Sequence, residues 1–318
     1  MSQLRLGLLA LTVTILSWGG MFQAVKVVLG TLDPFYLTSI RYGAAGSILL
    51  VILLLVEGGG VFKALPRDPR RGWLFFYGSM GFAGFSLCTF AGLRATSPQQ
   101  AAVISNMQPL ITALLLWLIK GMRPARATLV FVVIAFAGCI VVASKGDLAN
   151  LAEGGAVGGD LLVLAGAFCW VVYTLGAARF SDWSSLRYTA LSCGLGTLSI
   201  FFITGFATFL GHAHVPTQAQ LVSVFWHMLF IIVMTSVVAV LLWNVGVKAI
   251  GALNATLCAT FVPVVVFAIG IFQGQVTTGA EYAGAAMVVG ALIGNNLMLR
   301  RTLKISLEKI HPVRPPLI

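Results

Sequence analysis

The stretch Arg94–Gly121, RATSPQQAAVISNMQPLITALLLWLIKG, decides how the chain is read. It is an apolar run of membrane length with a proline, Pro109, near its middle. It has a twin at Lys248–Gln275, KAIGALNATLCATFVPVVVFAIGIFQGQ. A shift of 154 residues sets Arg94 on Lys248, Ala101 on Ala255 and Pro109 on Pro263. One half of the chain therefore repeats the other. Proline lacks the backbone N–H that a helix interior needs. Interruptions at matching positions of two halves point to a binding site between them.

Working outward, the 318 residues are 59% apolar and only 9% charged, with a mean hydropathy of +0.98. Soluble domains carry roughly 25% charge, so the composition is that of a protein almost wholly within a membrane. About 20 apolar residues cross a bilayer. Ten such segments are expected, near 6–27, 35–56, 73–93, 98–119, 126–144, 158–178, 184–210, 222–246, 251–273 and 280–299. Lipid offers no partner to open backbone, so each is a helix and the fold class is an all-α membrane protein. Gly290 and Gly294 in the tenth form a small-xxx-small pair suited to close helix contact. The five cysteines all lie in apolar runs without a CxxC spacing and read as small apolar fillers. The first apolar run has no convincing cleavage site after it and reads as a retained span.

The net charge of +11 is topological and calls for no nucleic acid. With the N-terminus in the cytoplasm, 16 of the 20 Lys and Arg fall on that side, and only Lys26, Arg41, Arg94 and Lys145 fall on the other. That asymmetry predicts N-in/C-in. Helices 1–5 map onto 6–10: Trp18 on Trp170, SIRY (Ser39–Tyr42) on SLRY (Ser185–Tyr188), and Gly138 on Gly290. Five spans per half is an odd number, so the second half enters from the opposite side. The expected organisation is two inverted five-helix repeats, 1–150 and 151–300, with a basic cytoplasmic tail over 301–318. Inverted repeats are a common plan for alternating-access carriers.

LSWGGMF and CWVVYT in the first and sixth helices, the Arg of SIRY, the paired prolines and the C-terminal GAAMVVGALIG together resemble the EamA family of the drug/metabolite transporter superfamily. The resemblance spans about residues 6–299. It implies a ten-helix bundle around a central cavity, with helices 5 and 10 at one side. It also implies export of amino acids or related small metabolites across a bacterial inner membrane, with aromatic amino acid and drug exporters nearest. The chain departs from the family in one respect. Members often carry a Gly-Glu pair shortly after helices 4 and 9, where this sequence reads Lys120-Gly121-Met122 and Gln273-Gly274-Gln275.

A carrier needs a cavity with a few placed polar groups. Trp18, Met21 and Phe22 share one face of helix 1. Helix 3 offers Tyr77 and Phe85; helix 4 offers Asn106 and Gln108 beside Pro109; helix 6 offers Trp170 and Tyr173; helix 8 offers Asn244; helix 9 offers Thr256 and Thr260 before Pro263. These are the expected substrate-binding residues, with Pro109 and Pro263 as hinge or gating points. Trp243 reads equally as site or as interfacial belt. Arg41 and Arg187 read as residues that fix helix ends, although either could hold a substrate carboxylate.

No carboxylate falls at mid-membrane; the acids sit in loops or near helix ends. An intramembrane acid would mark a proton relay, so a facilitator or a carrier driven by the substrate gradient is expected. A multidrug cation exporter would want a buried acid, and a sugar-phosphate or nucleotide-sugar exchanger would want paired deep cations; both remain alternatives on the same fold. HExxH and GxSxG are absent, which argues against an enzyme. The paired broken helices favour a carrier over a channel. No cofactor or metal is expected. The partners are a small-molecule substrate and the lipid bilayer, with monomer and homodimer both open.

Overall fold

The computed structural model describes residues 3–121, 126–147 and 155–310. The described residues are helical, with no strand among them. The principal rods are α1 (Gln3–Leu29), α2 (Pro34–Glu57) and α3 (Arg71–Ala95), then α4 in two pieces (Pro98–Ser105 and Gln108–Lys120) and α5 (Arg126–Ser144). The second half follows as α6 (Gly155–Gly176), α7 (Ser185–Phe209), α8 (Phe225–Ile250), α9 (Ala252–Cys258 continuing through Val262–Phe272) and α10 (Gly279–Ile310). Eight helices are long and apolar enough to cross a membrane, and the apolar helix over Arg126–Val142 is shorter. The protein is thus a multi-pass membrane protein. Large apolar side chains such as Leu55, Phe202, Phe209 and Phe272 face outward, where lipid rather than water accounts for them.

Two boundaries differ from the hydropathy reading. The eighth rod begins at Phe225 rather than 222. Thr217 and Gln220 form a capping box that starts a separate short helix, Gln218–Ser223, and Val224 breaks it. The last helix runs on to Ile310, so the first part of the expected tail is helical. Residues 311–318 of that tail, and the expected boundary at 150/151, lie outside the described residues.

α1 packs along α8, α3 along α6, α2 along α7 and α5 along α10. Exchanging the halves leaves this set of pairs unchanged. The α5–α10 crossing does not use Gly290, which faces open space. It uses Gly138 and Gly284: a Cβ on either would come within 2.8 Å of the other's carbonyl oxygen. Of the pair singled out by spacing, Gly294 does take part: a Cβ there would lie 2.7 Å from the Phe131 ring of α5.

The breaks are also matched. α4 is interrupted at Asn106–Met107, and Pro109 lies in the first turn of the next piece. α9 tightens to a 3-10 turn over Ala259–Phe261, and Pro263 follows in the same way. A proline in a first helical turn sacrifices no hydrogen bond, so each proline restarts a helix after a break and does not merely bend a continuous one. Two further irregularities pair up. α3 widens to a π-helix over Ser79–Gly84, and α8 does so over Ile231–Val238. Such widened turns free carbonyls and gather at functional sites.

Candidate functional site

The broken centres of α4 and α9 meet. Asn106 Nδ2 donates to the carbonyl oxygen of Thr260 at 2.9 Å, linking two residues 154 positions apart, which is the register of the repeat. Beside this junction lies a small cavity. Its wall contains Trp18, Met21, Phe22, Phe85, Asn106, Gln108 and Trp170, all expected from the sequence, together with Arg41, Tyr42, Ala102, Ser105, Val240, Ala259 and Val262.

The wall is aromatic at one end. Trp18 and Trp170 meet edge to face with centroids 5.3 Å apart; Trp243 closes the group, 5.1 Å from Trp18 and 6.2 Å from Trp170. Phe85 lies 5.2 Å from Trp170. Trp243 is 0% exposed, so it is no interfacial residue. Its indole N–H donates to Thr174 Oγ1 at 3.4 Å, and that of Trp18 to the Thr235 carbonyl at 3.3 Å. The α6 side of the stack needs Gly81 on α3, because a Cβ there would lie 2.5 Å from the Tyr173 ring.

Five expected site residues lie elsewhere. Tyr173 sits behind Trp170, its hydroxyl accepting from Asn244 Nδ2 at 2.8 Å. Asn244 also donates to Thr189 Oγ1 at 2.9 Å, and it borders a second cavity, beside Tyr188, Trp183 and Lys248. Tyr77 is turned away, packed over Gly176 and stacked on Trp73 at 5.8 Å. Thr256 and Thr260 are buried but are not part of the wall. A polar or aromatic residue within an apolar run marks the interior of the bundle, but a bundle has several inward faces and only one lines the cavity.

Arg41 is the largest correction. It neither snorkels nor fixes a helix end; it is 1% exposed and lies in the cavity wall. The π-helix of α8 explains how it is held. Thr235 Oγ1 and Ser236 Oγ both donate to the carbonyl of Ile231, at 2.7 and 2.8 Å. Their lone pairs are then free to accept from the guanidinium: Ser236 Oγ from Nε, and Thr235 Oγ1 from Nη2 at 3.3 Å. Nη2 also meets Met21 Sδ at 3.3 Å, and the cation lies 4.7 Å from the Tyr42 ring centre and 5.3 Å from that of Phe90. The Thr-Ser pair inside the apolar run of α8 was the signal available in sequence.

No acidic residue lines this cavity. Asp160, near the start of α6, is buried, but it borders a separate apolar recess with Ile104, Met107, Cys139 and Leu164. The bundle's two ends differ in character. At one, Arg70 bridges Asp68 at 3.0 Å and Asp182 at 2.6 Å, and Arg187 pairs with Glu57 at 2.6 Å. The Arg70 guanidinium holds the carboxyls of Asp68 and Asp182 below the usual carboxylate range, chiefly by hydrogen bonding. At the other, Gln275 bonds Gln99 and Gln23, and Lys26 Nζ donates to the carbonyls of Leu93 and Thr96 at 2.6 and 2.7 Å. Gln275 is one of the positions where a family acid was missing; here a neutral amide joins α1, α4 and the α9–α10 loop.

Comparison with known proteins agrees with this architecture. The EamA-like transporter family matches twice, over residues 5–144 and 157–297. The chain is 32% identical over 303 residues to a Bacillus subtilis protein described as the uncharacterized transporter YrdR, covering 94% of each. It is 29% identical over 273 residues to the uncharacterized transporter YyaM of the same organism, covering 85% of this chain and 87% of that one. A solved crystal structure aligns with a TM-score of 0.64 at 22% identity, covering 93% of this chain and 98% of the other, which speaks to the fold alone. An all-helical two-repeat fold, broken helices meeting at Asn106 and Thr260, and family matches over both halves make this chain a transporter, not an enzyme, and a member of the EamA-like family.

Proposed function

We propose that the protein carries small amphipathic metabolites, amino acids foremost, outward across the bacterial plasma membrane by alternating access. In this reading the chain crosses ten times as two inverted five-helix repeats, N-in/C-in, with halves at 1–150 and 151–300. The Arg70–Arg187 end then faces the cytoplasm, in keeping with the excess of basic residues there. Pro109 and Pro263 restart the helices beside the site and serve as the hinge points.

The observation that carries the reading is the cavity itself. An aromatic wall from α1, α3 and α6 faces amides and a hydroxyl at the break of α4. Such a surface suits a substrate with one apolar and one polar end. With no carboxylate in the wall, transport follows the substrate gradient and is not coupled to protons. The test is a proteoliposome panel of the twenty amino acids, hexose phosphates and organic cations, each with and without an imposed pH gradient. Saturable movement of apolar amino acids, with trans-acceleration and no pH-driven accumulation, is expected. Movement of phosphates alone, or uphill transport driven by the pH gradient, would overturn the reading. Trp18→Ala and Trp170→Ala are each expected to raise the half-saturating concentration several-fold while leaving folded yield intact. Unchanged kinetics in both would remove these rings from the site.

A further inference from the structure

Arg41 is the one ionised side chain in the wall of the central cavity. It has no counter-ion: the ion pairs among the described residues are those of Arg70 and Arg187 at the bundle's end. Nε and Nη2 are engaged by Ser236, Thr235 and Met21, but Nη1 is buried without a hydrogen-bond partner. Three more orphaned polar atoms belong to the same wall: Trp170 Nε1, Ser105 Oγ and Gln108 Oε1. A buried cation facing no anion is costly, and so is each buried polar atom left unpaired. Four such atoms around one cavity describe a set of groups waiting for a ligand.

Their chemistry is selective. Arg41 Nη1 and the Trp170 indole N–H can only donate, so they call for an acceptor, and the full charge on Arg41 calls for an anionic one. Gln108 Oε1 can only accept, so it suits a donor elsewhere on the same molecule. A phosphate dianion would need a second cation, and the wall has none. An amine without an acid would meet a guanidinium with no carboxylate to offset it. A single carboxylate neutralises Arg41 and leaves the remaining wall for apolar surface.

We infer that Arg41 is the anchor for one carboxylate of the transported molecule, so that the substrate is an amphipathic monocarboxylate with its apolar end against Trp18, Trp170 and Phe85. This rests on the carrier reading above and names the group that the cavity recognises.

The test uses the purified full-length protein and matched probes: phenylalanine, 3-phenylpropionate and phenethylamine, with leucine, 4-methylpentanoate and isopentylamine as an aliphatic set. Binding is read from the tryptophan emission. The acids and amino acids are expected to bind at least tenfold more tightly than the amines. Arg41→Gln should remove that preference, weakening the carboxylates at least tenfold without weakening the amines, while Arg41→Lys keeps part of it. Because Arg41 also ties α2 to α8, Ser236→Ala serves as the control: it weakens the tie but keeps the charge, so the preference for acids persists. Amines binding as tightly as acids, no carboxylate binding at all, or Ser236→Ala abolishing the preference as fully as Arg41→Gln would each overturn the inference. The carrier reading is judged separately by the liposome panel, which does not depend on which probe Arg41 prefers.

Discussion

Arg41 and Arg187 occupy the same four-residue pattern, SIRY and SLRY, in repeat-related helices, yet they live in opposite environments. Arg41 is buried among hydroxyls and rings in the central cavity, whereas Arg187 lies at a bundle end, paired with Glu57. The difference is one of register. α2 is capped by Asp33, which places Arg41 eight residues beyond the cap; α7 is capped by Ser184, which places Arg187 three beyond it. At 1.5 Å per residue those offsets are about 12 Å and about 4.5 Å into the helix. The motif alone does not say how deep an arginine sits; the capping residue does. The partners then differ as the depth does. At the end, a carboxylate and solvent are available. In the interior, the widened turn of α8 supplies Thr235 and Ser236 in place of an acid.

The comparison can be broken most directly by transport. Arg41→Gln is expected to lower carboxylate transport at least tenfold, and Arg187→Gln to change it less than twofold, both measured in liposomes at matched protein content. Equal losses would mean that both arginines are structural. A smaller effect sharpens the contrast between centre and end. Asn106→Ala removes the bond from Asn106 to Thr260 across the junction of the broken helices, and such a buried hydrogen bond contributes about 0.5–1.5 kcal/mol. Glu57→Gln breaks an ion pair at the solvent-facing end, where such pairs contribute about 0–1 kcal/mol. Thermal unfolding in detergent should therefore rank Asn106→Ala below Glu57→Gln, and the reverse order would move the stabilising contacts to the ends.

The smallest expected effect is the pH dependence of the Arg70 bridge. The carboxyls of Asp68 and Asp182 are held below their ordinary values in the folded protein. A depressed folded value adds stability above the unfolded value, about 3.9 for aspartate, and loses it as pH falls through the folded one. The difference in unfolding temperature between the wild type and Asp182→Asn should be constant from pH 6 to 9 and close below about pH 4. A difference that instead persisted there would show that Asp182 acts through packing.

The site was only partly legible in the sequence, and the misses share a cause. Seven expected residues line the cavity: Trp18, Met21, Phe22, Phe85, Asn106, Gln108 and Trp170. Tyr77, Tyr173, Asn244, Thr256 and Thr260 were picked as polar or aromatic residues within apolar runs, a criterion that cannot distinguish the cavity from the interfaces between neighbouring helices. Trp243 was left open because its distance from a helix end suggests an interface, whereas packing against Trp18 and Trp170 buries it. Arg41 was assigned to a helix end because a charge in an apolar run ordinarily escapes to one. Its retention depends on Thr235 and Ser236, 194 and 195 residues away.

By itself the sequence determined what lipid and duplication dictate: apolar helices, because nothing else satisfies backbone in hydrocarbon, two related halves, and matched breaks announced by Pro109 and Pro263. Only the tertiary structure decided which inward face becomes the cavity, where the α5–α10 contact falls, and that an arginine stands in its wall. Those outcomes depend on helix register and on a π-widened turn in a distant helix, and neither is written in hydropathy or local spacing.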